Sequence, residues 1–307
     1  MVLLVFVDGV GAGPPDPEVN PLARGEFLLS RFEGGGGAPL PRGGRAGLAD
    51  ATLGVPGRPQ SATGQATLLT GENAPRLLGR HLLGFPNASL RAILAERSLF
   101  HRLARAGRSG VLVNAYPRAY LAALGLAEGG GARPHPVPKR ARAAAALHAF
   151  TSAGGRARTW GDARRGRGLT HDLTGHRANQ YGAGIPPRTP EQAAEVFLGI
   201  AAGHDLAVLE FFETDEAGHA RSMEGALRAL STLDRFLRAV LGALGPGDAL
   251  LVTSDHGNVE DLRSRNHTLA PVPVLGFGRA AAEVEVVRDL TGVAPVLLRL
   301  SGVMGPG

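Results

Sequence analysis

The sequence predicts an α/β fold built on a doubly wound, mostly parallel sheet. Two observations carry this. Short, unbroken apolar runs rich in β-branched and aromatic residues recur along the chain, as in strands buried on both faces of a parallel sheet. Between them lie longer stretches with helical spacing, and strand–helix alternation is the signature of this class. The runs are "VLLVFVD" at the N-terminus, "GVLVNA" (Gly110–Ala115), "LAVLEFF" (Leu206–Phe212), "ALLVTS" (Ala249–Ser254) and "VPVLGFG" (Val272–Gly278). The helical stretches are "SLRAILAERSLFHRLARAG", "TPEQAAEVFLGIAAG", "EGALRALSTLDRFLRAVLGALG" and "VRDLTGVAPVLLRLSG". The second opens on Thr189, Pro190 and Glu191, a cap followed by proline in the first turn.

Two regions break the pattern. The Gly/Pro-rich stretch "GAGPPDPEVNPLARGEFLLSRFEGGGGAPLPRGG" reads as mostly loop. The other runs from 116 to 185 and holds Arg133, Lys139, Arg140, Arg142, Arg156, Arg158, Arg164, Arg165 and Arg167, with Asp162 the single acid between Arg133 and Arg167. It is expected to be a basic insertion or lid on a core formed by 1–115 and 186–307, not an independent domain.

Composition narrows the function classes. With 44% apolar and 20% charged residues over 307 positions, the chain has the balance of a globular protein and is long enough for a large core. No apolar run approaches a transmembrane length, and "MVLLVFVDGVG" lacks the basic start of a signal peptide; a cytoplasmic protein with no membrane partner is expected. The absence of cysteine removes disulfides, thiolate metal sites and cysteine nucleophiles. The net charge of +6 comes almost wholly from arginine, Lys139 being the one lysine. Alongside heavy Ala, Gly, Leu and Pro usage this points to GC-rich coding, so the charge is weak evidence for nucleic acid. It would still attract anionic substrates.

Ligands of such sheets bind at the carboxyl ends of the strands. Asp8 follows the first run. Asp215 follows "LAVLEFF" after two residues, with His219 four further on. Asp255 and His256 follow "ALLVTS", and His267 lies in the loop before the last run. Each alone has an ordinary reading: an Asp after a strand is a common helix cap, and Asp-x-x-x-His is a common i,i+4 pair. Their repetition at equivalent points of the topology suggests divalent cations, without which so many carboxylates would repel one another. In "PQSATGQATLLTGENAP", Ser61 and Thr63 precede a short apolar helix pattern, and Gly64 allows close approach. A hydroxyl there faces the positive end of a helix, and Ser61 reads equally well as a plain N-cap.

Taken in order, "VFVDGVG", "SATGQATLLTG", "TDEAGH", "TSDHGNVED" and "NHT" resemble the alkaline phosphatase superfamily of two-metal phosphoryl-transfer enzymes. Within it the resemblance is greatest to the branch of cofactor-independent phosphoglycerate mutases and phosphopentomutases. It covers about two thirds of the chain and leaves out the Arg-rich middle. Counting from Gly64 as in the mutases, or back from Leu68-Leu69-Thr70-Gly71 as in nucleotide pyrophosphatases and phosphodiesterases, selects Ser61 over Thr63; Gln65 departs from the mutases' histidine. The resemblance implies that Asp215, His219 and His267 hold one ion and Asp8, Ser61, Asp255 and His256 the other. Gly257 would let the backbone turn after the Asp-His pair. Oxygen and imidazole donors without sulfur suit two Mn²⁺ or Zn²⁺ ions. Ser61 would then be the catalytic nucleophile, forming a phosphoserine intermediate on a small phosphorylated substrate.

The chain lacks the C/S-x-P-x-R pattern of sulfatases and the larger inserted domains of the mutases. A phosphatase or phosphodiesterase is therefore expected, with a phosphomutase as the alternative. Gln65, His171, Asp172 and Arg177 are the expected substrate contacts, and part of the Arg133–Arg177 segment is expected to fold over the ions and grip phosphate. From a different class, the basic stretch could bind a polyanion beside a structural metal site. Its few aromatics, Tyr116, Tyr120, Phe150 and Trp160, give base stacking little support.

Overall fold

The computed structural model describes residues 1–37, 39–128 and 141–303. Its strands are β1 (Val2–Val7), β2 (Arg45–Ala49), β3 (Gly110–Leu112), β4 (Ala115–Tyr116), β5 (Arg158–Thr159), β6 (Leu206–Phe211), β7 (Ala249–Ser254) and β8 (Val272–Gly278). The helices are α1 (Ser61–Thr70), α2 (Ala74–Leu78), α3 (Ala88–Arg97), α4 (Leu99–Arg105), α5 (Arg118–Ala123), α6 (Ala145–Ser152), α7 (Trp160–Arg164), α8 (His176–Asn179), α9 (Pro190–Ala201), α10 (Glu213–Ala220), α11 (Met223–Ala243) and α12 (Val293–Leu300).

The main sheet has the order β2-β8-β7-β1-β6-β3. The four strands β7, β1, β6 and β3 are parallel, and β8 and β2 close one edge antiparallel. Every residue of β1, β6 and β7 is buried, which is why their sequences read as unbroken apolar runs. The helices form two packing groups: α9, α10 and α11 in one, α1, α3, α4, α6 and α12 in the other. Thr189 caps α9 through a reciprocal capping box with Gln192, ahead of Pro190. The single helical stretch read at 89–107 is two helices, because Ser98 ends α3 in extended backbone and its hydroxyl caps α4. Among its described residues the Gly/Pro-rich stretch holds two short 3₁₀ turns and an isolated bridge between Gly13 and Phe32.

Within 116–185, α6 contributes Ala145, Ala146, Leu147, Ala149 and Phe150 to the main core. The two-stranded β4–β5 ribbon and α7 stand apart from the large sheet. Arg133, Lys139 and Arg140 lie outside the described residues.

The register positions the site. Val7 of β1 pairs with Phe211 of β6 on one side and Ser254 of β7 on the other. The three strands therefore end level, and the residues that follow them emerge at one edge of the sheet.

Candidate metal centre and substrate chamber

Asp8 leaves β1 at that edge, and Gly9 makes room beside it. Gly9 has φ +74°, and a Cβ there would stand 2.7 Å from Asp215 Oδ1; only glycine allows both. The Thr214 hydroxyl donates to the Asp8 carbonyl at 2.6 Å, tying the start of α10 to the end of β1. Asp215 and His219 then follow one turn apart on α10. Asn258 donates to Asp215 Oδ1 at 2.6 Å and fixes that carboxylate.

The turn after β7 is pinned from below. Ser254 Oγ accepts from Val10 N at 2.9 Å and donates to the His256 carbonyl at 2.8 Å. Buried Glu260 accepts from Gly11 N and Asn258 N, both at 2.8 Å, and from the Thr268 hydroxyl. Asp255 and His256 are both fully buried. Gly257 is needed here for space, since a Cβ would collide with Glu260 and Thr268. Its φ lies outside the left-handed region, so the turn-making role read from the sequence is corrected to a packing role.

Ser61 is the first residue of α1. Its helix packs on the same turn through Gly64, where a Cβ would come within 2.6 Å of the Asp255 carbonyl oxygen. This brings Ser61 Oγ to 2.9 Å from His256 Nε2. No side chain caps α1, so Ser61 lies inside the helix rather than serving as its N-cap. The first-turn N–H groups face the site without a competing side chain.

Two groups of side chains have donor atoms close enough to share a cation: Asp8, Asp255 and His256, and Asp215, His256 and His267. His256 belongs to both, with Nε2 3.2 Å from Asp8 Oδ1 and 3.6 Å from Asp255 Oδ2. His219 closes the second group, its Nε2 3.2 Å from Asp215 Oδ2 and 3.3 Å from His267 Nε2. The rings of His256 and His267 stack at 3.7 Å.

The donor chemistry fits divalent cations. His267 Nδ1 lies 2.8 Å from the Pro59 carbonyl and His219 Nδ1 2.6 Å from the Arg265 carbonyl. Each Nδ1 therefore donates to its carbonyl, and in the neutral rings this leaves two Nε2 lone pairs facing one another, a repulsive arrangement that a cation between them removes. A backbone carbonyl holding the far nitrogen is the usual support of a metal-binding imidazole. Asp8 Oδ1 and Asp255 Oδ2 are buried with no hydrogen-bond donor. Burial, and then the neighbouring Asp8 charge, raise the carboxyl pKa of Asp255 and of Asp215. Burial alone would lower His256, but Asp255 and Asp8 reverse this and hold it up at about 10. Burial, reinforced by His256, pulls His267 down to about 4. Such concentrated strain among titratable groups marks functional sites.

A chamber of about 500 Å³ opens beside Ser61, Asp8 and Asp215. All four residues read as substrate contacts line it. Gln65 lies one turn after Ser61, its amide donating to Glu210 Oε1 at 3.2 Å and Asp8 Oδ2 at 3.4 Å. His171 Nε2 stands 3.7 Å from Glu210 Oε2. Asp172 accepts from Arg177 N at 3.1 Å and from the Thr174 hydroxyl at 2.8 Å. The Arg177 side chain pairs with Glu216 and covers the Phe212 ring.

Glu210 was missed in the sequence. It sits inside the buried run of β6, 4% exposed, with no hydrogen-bond donor on Oε2. A lone acid in an otherwise apolar strand was the available signal.

The arginine cluster goes elsewhere. Arg156, Arg165 and Arg167 converge on Asp162, whose side chain also caps α7 with Thr159. None of Arg156, Arg158, Arg164, Arg165 and Arg167 lines the chamber; the part of the segment that does line it includes the stretch holding His171, Asp172 and Arg177. A buried acid organises these side chains around itself. Replacing Arg165 and Arg167 together by Ala is expected to leave kcat/KM unchanged in a steady-state assay and to cost at most about 1 kcal/mol per exposed pair in thermal denaturation.

Residues 190–303 match the family model of the metalloenzyme superfamily. That segment contains Asp215, His219, Asp255, His256 and His267, while Asp8 and Ser61 lie outside it. The 2,3-bisphosphoglycerate-independent phosphoglycerate mutase of Roseobacter denitrificans is 33% identical over 132 residues, 39% of this chain and 26% of the mutase. That of Rhodopseudomonas palustris is 38% identical over 120 residues, 36% and 23% of the two chains. The similarity thus spans about a quarter of the length of these relatives. Among solved structures, Thermus thermophilus alkaline phosphatase superposes with a TM-score of 0.56 at 15% identity, covering 99% of this chain and 92% of that one. A protein from Pyrococcus horikoshii gives 0.58 at 14% identity over 100% and 98%. At these identities the likeness is one of fold. Among the described residues no helix is long and apolar enough to cross a membrane.

Proposed function

We propose that this chain, whose residues 190–303 match the metalloenzyme superfamily and whose fold is alkaline phosphatase-like, is a phosphatase or phosphodiesterase that works through a phosphoserine at Ser61. The observation that carries the reading is the Ser61 hydroxyl, 2.9 Å from His256 Nε2 at an uncapped helix start, beside two sets of cation-binding side chains. Asp8, Ser61, Asp255 and His256 would hold one ion and Asp215, His219 and His267 the other, as Mn²⁺ or Zn²⁺. When bound, these ions supply charge neutralisation, a lowered hydroxyl pKa and polarisation of the phosphoryl oxygens.

The remaining work falls to the chain. Ser61 Oγ attacks phosphorus, the bond from phosphorus to the ester oxygen breaks, and the alcohol leaves with that electron pair and a proton. Water then attacks the phosphoserine, releasing phosphate and restoring the hydroxyl. The first-turn N–H groups of α1 donate to the negative phosphoryl oxygens. Asn258 orients Asp215, and Glu260 holds the turn that carries Asp255 and His256. Gln65, His171, Asp172 and Arg177 contact the substrate from the chamber wall, with the segment 116–185 acting as its lid. The phosphoglycerate mutases among the relatives favour a second reading, in which an alcohol instead of water takes the phosphoryl group.

Incubation of the protein with a panel of phosphate esters and added Mn²⁺ or Zn²⁺, followed by product analysis, separates these readings. Inorganic phosphate as the product supports the hydrolase, and an isomeric phosphate ester supports the mutase. No metal-dependent turnover of any ester contradicts both and leaves a structural metal site.

A further inference from the structure

Resting on the phosphoryl-transfer reading, the chamber's walls indicate what the phosphate is attached to. Part of the chamber's lining is a continuous run of rings. Tyr120 stacks on Tyr116 with centroids 6.0 Å apart, Tyr116 meets His171 edge to face at 5.1 Å, and His171 lies tilted against Phe212 at 4.7 Å. Phe85 and Trp160 also line the chamber. Rings already packed against one another are rigid, and they offer faces and edges to a further ring at little entropic cost.

Charge points the same way. Among the described residues, Arg177 is the only Arg or Lys lining the chamber, and it is engaged by Glu216. Asp172, Glu210 and Glu216 are acidic lining residues beyond Asp8 and Asp215. A leaving group bearing its own carboxylate, such as glycerate, would meet like charge with no unengaged Arg or Lys among the described lining residues to receive it. The buried Glu210 Oε2 lacks a donor, and the group that best completes it brings an N–H or O–H. We propose that the chamber takes phosphate esters whose leaving group is a flat ring with a hydrogen-bond donor on its edge, the ring lying against the Tyr116–His171–Phe212 wall and the donor reaching Glu210.

Trp160 is the chain's one tryptophan and lines the chamber, so its fluorescence reports occupancy without turnover. The Ser61→Ala protein, in the presence of Mn²⁺, is titrated with 4-aminophenyl phosphate, phenyl phosphate and 3-phosphoglycerate. Both aryl esters are expected to bind at least about ten-fold more tightly than 3-phosphoglycerate, with the amino ester the tightest. Adding Tyr120→Leu, a substitution at a half-buried wall residue, is expected to weaken aryl binding several-fold and leave 3-phosphoglycerate unchanged. Binding of 3-phosphoglycerate as tight as that of either aryl ester overturns the proposal. The ester panel run on the unsubstituted protein keeps the two readings separable. Turnover without aryl preference contradicts the ring-binding chamber alone. Aryl preference in binding without turnover of any ester contradicts phosphoryl transfer and leaves the ring preference standing.

Discussion

Ser61→Ala is expected to remove nearly all phosphoryl transfer, by roughly 10⁴- to 10⁶-fold in kcat, because the members of a nucleophilic centre fail as a unit. The fold is expected to survive. Ser61 is the first residue of α1, alanine is the best helix former, and the hydrogen bond lost is the one to His256 Nε2. Thr63→Ala is the matched control. The Thr63 hydroxyl is fully buried, donates to the Gln60 carbonyl at 3.1 Å and accepts from Leu82 N at 3.3 Å, so its work is structural. Its loss is expected to cost about 1–2 kcal/mol of stability and at most about ten-fold in rate. Steady-state assays with thermal denaturation of both variants check this. Full activity in Ser61→Ala would overturn the assignment.

Metal removal should have the largest effect on stability. Ions that bind only the folded chain stabilise it by about 4 kcal/mol at a thousand-fold excess over Kd, which for a domain of this size moves Tm by roughly 8 °C. Calorimetry of chelated protein with and without Mn²⁺ or Zn²⁺ measures that shift. Asp255→Asn is expected to act in opposite directions in the two states. With metal present it loses most of the gain, since a buried carboxylate facing the cation is gone. Without metal it is expected to melt no lower than the parent, because Asp255 is held near Asp8 and Asp215 with one oxygen unpartnered. The amide oxygen can still accept from Gly9 N. A metal-induced shift in Asp255→Asn equal to that of the parent would show that Asp255 binds no ion.

The central sheet was legible because strands buried on both faces leave little choice but apolar residues. β7 and β8 occupy the spans read for them, and β1 and β6 nearly so. The two antiparallel edge positions were not legible. β8 carries the same kind of apolar run as the parallel strands, and β2, "RAGLA", is mostly exposed and too short to show a pattern. At the site, residues just past strand ends could be read from the sequence because the topology gathers them at one edge. Glu210 escaped because it points into the chamber from within a strand. The fate of the arginines was hidden for another reason. One acid, Asp162, captures Arg156, Arg165 and Arg167 by contacts that depend on where the β4–β5 ribbon places α7. Spacing in the sequence carries no record of that.

The most direct measurement is to locate the phosphoryl group during turnover. The protein, incubated with Mn²⁺ or Zn²⁺ and an ester it turns over, is quenched in acid and digested, and its peptides are read by mass spectrometry. The account predicts phosphate on Ser61, in the peptide containing "PQSATGQATLLTG", and none in Ser61→Ala. Steady turnover with no phosphopeptide, or with phosphate on Thr63 or another residue, would contradict it.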